Sequence, residues 1–383
     1  MRAASLARRQ LTRDRRRLLV AVAGVAFAVV LMLMQLGFRS ALFASAVRFY
    51  SHLHGDIFLV SPRSPFLAEM ESFSWRRLYE AKGLAGVARV IPVYTAVGLW
   101  KNPSDSSIHR IFIAGFDPTT PVMDLQGVQQ SVEALRQPDV VLLDADSRPE
   151  FGPVVARYRA GGPVQTEVNN RRVSVMGLLN LGTSFGIDGN LITSDLNFLR
   201  LFPMKEEGLI QVGVIQLNAG VDPDGMRNQL AAALPNDVEV LTKARLMQRE
   251  IAYWSSATPI GFIFAFGAIM GFVVGMVIVY QILFADVSEH LAEYATLKAM
   301  GYADRYLFFV VLYEAVVLAV LGYIPGLAVS FQLYRLTNQA THLPMNLNLE
   351  AGASVLGLTI VMCGISGLIA VRKVRSADPA EIF

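Results

Sequence analysis

Along the chain, apolar positions gather into four unbroken blocks, separated once by a long interval of short runs. Leu18 to Phe38, a stretch between Ile251 and Ala285, Leu307 to about Tyr334, and Ala351 to Val371 are each apolar and nearly free of charge. Each reaches the roughly 20 residues that a helix needs to cross a hydrocarbon layer about 30 Å thick. Only the third contains a charge, Glu314. The pattern predicts transmembrane helices over residues 18–38, 257–285, 307–334 and 351–371.

Between the first and second blocks the pattern changes. β-branched or aromatic runs bounded by turn residues predict strands over Asp56 to Val60, Val87 to Val97, Ile108 to Ala114, Val140 to Leu143, Arg172 to Leu178, Leu209 to Leu217 and Val238 to Leu241. Helical spacing with plausible starts at Ser74, Ser194 and Asp222 predicts helices over Ser74 to Ala81, Ser194 to Phe202 and Pro223 to Ala233. Residues 39–256 are therefore expected to form a mixed α+β domain large enough to bury its own core. Gly182, Gly186 and Gly189, with Asp188 and Asn190, read as a turn cluster. Asp144, Asp146 and Glu150 around Arg148 read as a salt-bridged turn.

Composition agrees with a membrane protein: 53% apolar, 17% charged, with a mean hydropathy of +0.43. The single cysteine, Cys363, lies inside the last block and excludes a disulfide framework. A net charge of +3 gives no reason to expect nucleic acid. The distribution of charge is more informative. Seven arginines (Arg2, Arg8, Arg9, Arg13, Arg15, Arg16 and Arg17) precede the first block, and Arg372, Lys373 and Arg375 follow the last. Because basic flanks stay inside, residues 1–17 and 372–383 are expected in the cytoplasm, as is the loop 286–306. Residues 39–256 and the loop 335–350 are then expected outside.

The motifs of catalysis are missing. The sequence has no G-x-x-x-x-G-K-[ST] phosphate loop and no H-E-x-x-H helix, so neither nucleotide hydrolysis nor a zinc site is expected on this chain, which does not read as an enzyme. His52 and His54 have no nominated co-ligands and read as surface residues. Gly267, Gly271 and Gly275 recur every fourth residue on one face of the second block, a stripe that lets another helix approach closely in lipid, in a homodimer or against a neighbouring span. Gly24 and Ala28 form a weaker stripe on the first. Glu314 is costly inside lipid and is a functional candidate for that reason.

In the loop 286–306, Val287, Leu291, Tyr294 and Ala295 fall on one helical face, with Glu289 and Glu293 elsewhere on the wheel. Asp286 and Glu289 have capping-box spacing, and Gly301 is a natural stop. A short amphipathic helix between two spans is a handle for a partner.

The run Glu293-Tyr294-Ala295-Thr296-Leu297-Lys298-Ala299-Met300-Gly301 resembles the E-x-[AG]-x-[LM]-[KR]-A-[LM]-G element of the FtsX and MacB superfamily of ABC permeases. Arg372, Arg375, Asp378, Pro379, Ala380, Glu381 and Ile382 resemble its closing segment, and Glu314 with Ala315 its acid-alanine pair. Longer phrases, among them Gly98 to Pro103, Ser147 to Pro153 and Asp188 to Phe198, are similar to the DevC-type permease subunit of cyanobacterial exporters. The resemblance implies four transmembrane helices with a large periplasmic α+β domain inserted between the first and second, in a bacterial inner membrane. It also implies a homodimer working with a separate ABC ATPase subunit, which would hold the ATP and Mg that this chain lacks. A periplasmic membrane-fusion adaptor and a TolC-like outer-membrane channel would complete a tripartite exporter of lipid-like or other cargo, driven by mechanotransmission. An FtsX-like regulator of a periplasmic cell-wall hydrolase is the alternative. On the exporter reading, Glu289, Leu291, Glu293, Tyr294, Ala295, Lys298 and Gly301 form the ATPase coupling element.

The topology has a direct test. With Cys363 replaced, a cysteine at Asp105 is expected to react with an impermeant thiol reagent added from outside, and one at Met300 is not; the reverse pattern would invert the protein.

Overall fold

The computed structural model describes residues 15–290, 293, 296, 300–341 and 343–375. Among them, four helices are long and apolar enough to cross a membrane: Arg15–Ala46, Pro259–Glu289, Phe308–Thr341 and Leu349–Val371. The third belongs to a helix over Asp304–Thr341 and the fourth to one over Leu349–Arg375. The helices outrun the apolar blocks because hydropathy marks only the part suited to hydrocarbon, while backbone hydrogen bonding continues into flanking polar residues. The second span begins sharply. Thr258 is extended and Pro259 opens the helix, since proline disfavours helical geometry in the residue before it yet fits the first turn.

The chain forms two compact units, one holding nearly all of the four spans and the other Leu42–Pro259 with Thr341–Pro344. In the membrane unit the first span lies between the second and third. Ala21, Val25, Ala28, Val29, Met32 and Leu33 of the first span share one buried cluster with Val279 and Leu283 of the second and Ala315, Leu318 and Ala319 of the third. Glycine sets the spacing. A Cβ on Gly271 would stand 3.2 Å from Leu31 Cβ, and one on Gly275 would stand 2.5 Å from both Ala28 Cβ and Met362 Sδ. A Cβ on Gly24 would come within 2.6 Å of Ile278 Cγ2. The glycines of the second span thus face the first and fourth spans of the same chain. Gly322 and Gly326 do the same for the third span: a Cβ on Gly326 would lie 2.8 Å from Val29 Cβ, and one on Gly322 would run into Val25. Hydrogen bonds add to the packing. Ser366 Oγ lies 2.8 Å from Met276 O, and the Tyr334 hydroxyl donates to Leu33 O.

The second unit is built on a nine-stranded mixed sheet. In chain order its strands, with a separate two-stranded pair, are β1 (Ile57–Val60), β2 (Phe73–Ser74), β3 (Val87–Lys101), β4 (Ile108–Phe116), β5 (Val140–Asp144), β6 (Val164–Val168), β7 (Arg171–Leu179), β8 (Asn190–Ser194), β9 (Leu209–Ile210), β10 (Val212–Leu217) and β11 (Glu239–Thr242). The sheet order is β11-β1-β10-β3-β4-β8-β5-β7-β6, while β2 pairs with β9. The β4–β8 and β5–β7 pairs are parallel. Successive residues of one strand point to opposite faces, so Ile57 and Leu59 enter one apolar cluster and Phe58 and Val60 the other. Both faces of the sheet are therefore covered.

The 15-residue β3 joins the two halves. Its first part pairs with β10 as far as Val93, and from Tyr94 onward it pairs with β4. At the changeover Gln211, fully buried, accepts a hydrogen bond from Thr95 N at 3.0 Å and donates to Ser72 Oγ at 2.8 Å. That residue splits the strand expected over Leu209 to Leu217 into β9 and β10. The expected helix starts at Ser194 and Asp222 carry their caps, Ser194 Oγ accepting from Asn197 N and Asp222 from Asp224 N and Gly225 N. Three strands, β2, β6 and β8, and helices over Arg48–His52, Gln126–Gln130, Val132–Leu135, Val154–Arg159 and Lys243–Ala252 lie where the sequence pattern predicts none; Ser74 falls in β2, and the helix expected to start there runs over Arg76–Lys82.

Packing at Gly275 yields a prediction. Gly275→Leu is expected to force the first and fourth spans away and lower stability by about 1 to 3 kcal/mol, as overpacked cores do. Gly357, whose Cβ would meet nothing within 4 Å, serves as control: Gly357→Leu should leave the melting temperature in detergent within error.

Candidate functional site

A cluster of charged residues lies where the second span ends. Arg17, in the first turn of the first helix, reaches across to the last turns of the second: its guanidinium pairs with Glu289, stands 3.6 Å from Asp286 and donates to Ile282 O at 3.3 Å. His290 Nδ1 lies 3.9 Å from the same Asp286 carboxylate. Arg17 thus ties the start of the first span to the start of the loop that follows the second. The pairing is partly solvent-exposed, so its contribution to stability is small, on the order of 1 kcal/mol or less; its effect is positional.

Of the expected coupling residues, Leu291, Tyr294, Ala295 and Lys298 lie outside the described residues. Glu289 is largely exposed and engaged by Arg17, and Glu293 is helical and exposed. Gly301 has φ +90°, the left-handed geometry that ends a helix and favours glycine, and among the described residues nothing lies within 4 Å of the position a Cβ would take. Glu314 is 1% exposed, and among the described residues neither carboxylate oxygen has a hydrogen-bond partner. Sequence reading nominated Glu289 and Glu314 separately and assigned Arg17 only a topological role.

A second polar site lies in the sheet unit, on the helix Lys243–Ala252. Glu250 is buried and accepts hydrogen bonds from Trp254 Nε1 and Leu67 N, each at 3.1 Å, with the Tyr50 hydroxyl at 3.5 Å. These donors come from three segments: the helix Arg48–His52, the 3-10 turn Leu67–Glu69 and the π-helical turn Tyr253–Ala257. Burial pushes the Glu250 carboxyl up to about 7 against the donors that favour its charge. Phe66 stacks on Tyr253 at 4.8 Å and meets Trp254 edge-on at 5.4 Å. A Cβ on Gly186 would stand 3.2 Å from Trp254 Cζ2, which gives that glycine a packing reason.

The acidic group around Arg148 divides on inspection. Arg148 pairs with Asp188 at 3.1 Å. Asp144 is fully buried and accepts from Leu181 N, Gly182 N, Asp146 N and Asn190 Nδ2, and burial pushes its carboxyl up. It pins the glycine loop to the sheet. Asn190, expected in that loop, instead opens β8.

Glu250 makes stability depend on pH. An acid that releases its proton near 4.5 when unfolded and near 7 when folded holds more protons in the native state between those values, so stability falls as pH rises through that window. The full shift corresponds to about 3 kcal/mol as an upper figure. Thermal melts of the wild type from pH 5 to 8 should show the decline, and Glu250→Gln should flatten it.

Two family models match the chain. The MacB-like periplasmic core domain matches residues 18–233, more than half of the chain, and the FtsX-like permease C-terminal domain matches residues 264–379. Comparison with curated proteins returns no match. Among solved structures, the periplasmic region of MacB from Actinobacillus actinomycetemcomitans is 14% identical, with a TM-score of 0.36, over 51% of this chain and 92% of that one. The extracellular domain of the noncanonic ABC-type transporter YknZ from Gram-positive bacteria is 13% identical, with a TM-score of 0.34, over 49% and 98%. A domain of a putative permease protein from Porphyromonas gingivalis is 13% identical, with a TM-score of 0.29, over 49% and 88%. The assignment rests on the two family models together with four membrane-spanning helices and a mixed α/β domain between the first and second. On those grounds the chain belongs to the MacB-like periplasmic core domain family and is an ABC-type transmembrane permease subunit of the FtsX and MacB superfamily.

Proposed function

We propose that the chain is the membrane subunit of a tripartite exporter of the DevC type, both termini in the cytoplasm, dimeric, and driven by a separate ATPase. A periplasmic adaptor and an outer-membrane channel complete the path of a lipid-like cargo. The observation that supports this reading best is the tie from Arg17 to Asp286 and Glu289. The loop after Glu289 is joined covalently to the second and third spans, and Arg17 adds the first. A push on the loop therefore acts on three spans at once.

In this proposal Leu291, Tyr294 and Ala295 seat on the ATPase, Glu293 and Lys298 set register, and Gly301 releases the chain into the third span. Glu289 is shared between the partner and Arg17. With a single charge inside four spans, the bundle offers little for a hydrophilic tunnel, which suits cargo handled outside the membrane by transmitted motion.

Removing one buried apolar contact at such a hot spot costs about 1 to 4 kcal/mol of binding. Leu291→Asp, which also places a charge in the seat, is expected to lose the ATPase in co-purification and to stop export while keeping the adaptor. Retained ATPase binding and export would place the coupling element elsewhere. A cell-wall hydrolase in place of the adaptor among the co-purified proteins would assign the regulatory role instead.

A further inference from the structure

Within the sheet unit, Glu250 joins the two stretches of chain that lead to the first and second spans. The helix Arg15–Ala46 ends four residues before Tyr50, and the helix Pro259–Glu289 begins five residues after Trp254. Both side chains reach the Glu250 carboxylate, which is 4% exposed: Trp254 Nε1 donates to Oε1, and the Tyr50 hydroxyl lies 3.5 Å from Oε2. Leu67 N donates to the same Oε2. Phe66, the residue before Leu67, stacks on Tyr253, the residue before Trp254, so these two segments meet twice. Regular helical bonding is interrupted here, since Tyr253–Ala257 is a π-helical turn and Thr258 is extended, a rare geometry that often marks a functional site.

The arrangement provides for the neutral acid as well as for the carboxylate. A carboxylate takes all three donors. A neutral carboxyl must itself donate, and the Tyr50 oxygen is placed to accept because the Tyr50 proton has a second acceptor, Met70 Sδ at 3.9 Å. Among the described residues no cation bonds to Glu250. Arg249 is the charge whose field favours ionisation, but its guanidinium is engaged by Ser64 O and Glu239. The other charged groups nearby have partners of their own or face water. Arg48 donates to Leu181 O, and His52 lies against Asp124 O. Lys243 donates to the Ser51 and Leu53 carbonyls, and Arg245 pairs with Asp224. Asp188 of the glycine loop pairs with Arg148, while Arg63, Glu69 and Glu71 are exposed. A buried carboxylate with donors but no bonded counter-ion gains by admitting water.

We propose that Glu250 is a proton-operated latch between the chain that leaves the first span and the chain that enters the second: protonated, it stays buried and holds Tyr50, Leu67 and Trp254 together, and once its proton has passed to water the three segments part locally. The sign follows from linkage. Opening exposes the carboxyl and returns it toward 4.5, whereas burial pushes it up to about 7, so the closed site binds the proton and rising pH favours opening. Between pH 6 and pH 8 those two values raise the open population about tenfold. On the exporter reading, motion of the spans passes into the sheet unit along these segments, and a closed latch transmits it more stiffly than an open one. The latch rests on that reading for its role, not for its existence.

The test is hydrogen exchange of the full chain in phosphatidylcholine nanodiscs, read by mass spectrometry at pH 6, 7 and 8, well below the melting temperature and corrected for the intrinsic pH dependence of amide exchange. Peptides covering residues 64–70 and 250–258 are expected to show an open population that rises about tenfold from pH 6 to pH 8, while β5, in the interior of the same sheet, stays level. Glu250→Gln keeps the shape of the neutral acid and cannot ionise, so it should hold both segments at a level independent of pH. Corrected exchange that is the same at pH 6 and pH 8 in the wild type would overturn the proposal, and that comparison needs no variant. So would a rise shared equally by β5, which would mean unfolding of the whole unit, or a rise that persists in Glu250→Gln. Exchange is read without ATPase, adaptor or cargo, so a negative result leaves the exporter reading standing, and failed export leaves the latch standing.

Discussion

In hydrocarbon, an apolar side chain gains nothing by turning from lipid toward another helix, so a bundle holds together through close backbone approach and the few hydrogen bonds that approach permits. The first span meets this constraint from two sides. Gly271 and Gly275 admit it to the second span, and Gly322 and Gly326 admit it to the third. Once the helices are close, Tyr334 and Ser366 can reach carbonyls of other spans, and Arg17 can reach Asp286 and Glu289. The proposed coupling element inherits its geometry from these contacts. A wider spacing would leave Arg17 short of its acids and the loop anchored to two spans rather than three.

The sheet unit follows a different rule, since water is available at its surface. Its stability comes from apolar clusters on both faces of one sheet, and three buried polar side chains hold its segments together. Gln211 serves the backbone where β3 changes partner, Asp144 collects four N–H groups and Glu250 collects two N–H groups and a hydroxyl. Each fastens segments distant in sequence.

The four spans and the inserted domain could be read in the sequence because hydropathy over 20 residues leaves little choice. Strands with one emphatic apolar run, such as β1, β4 and β5, were legible too. β8 was not: it is only five residues, all of them buried, so it shows no alternation, and the glycine loop before it masks its start. The helix Lys243–Ala252 escaped because Lys243, Arg245, Arg249 and Glu250 made it look like a solvated connection, whereas Glu250 faces inward. Gly267, Gly271 and Gly275 announced a contact but not its partner. Arg17 could be read only as a topological charge, since the acids it meets lie some 270 residues along the chain and no local pattern connects them.

That separation has a consequence for biogenesis. Every strand of the sheet, from Ile57 to Thr242, leaves the ribosome before the second span begins at Pro259. The inserted domain can therefore complete its fold while the first span waits alone in lipid, its glycine-facing surface unmatched and Gln35 its only polar side chain between Leu18 and Phe38. Only when residues 286 to 289 have been made can Arg17 meet Asp286 and Glu289, so its pairing marks the moment at which the first and second spans become joined at that end.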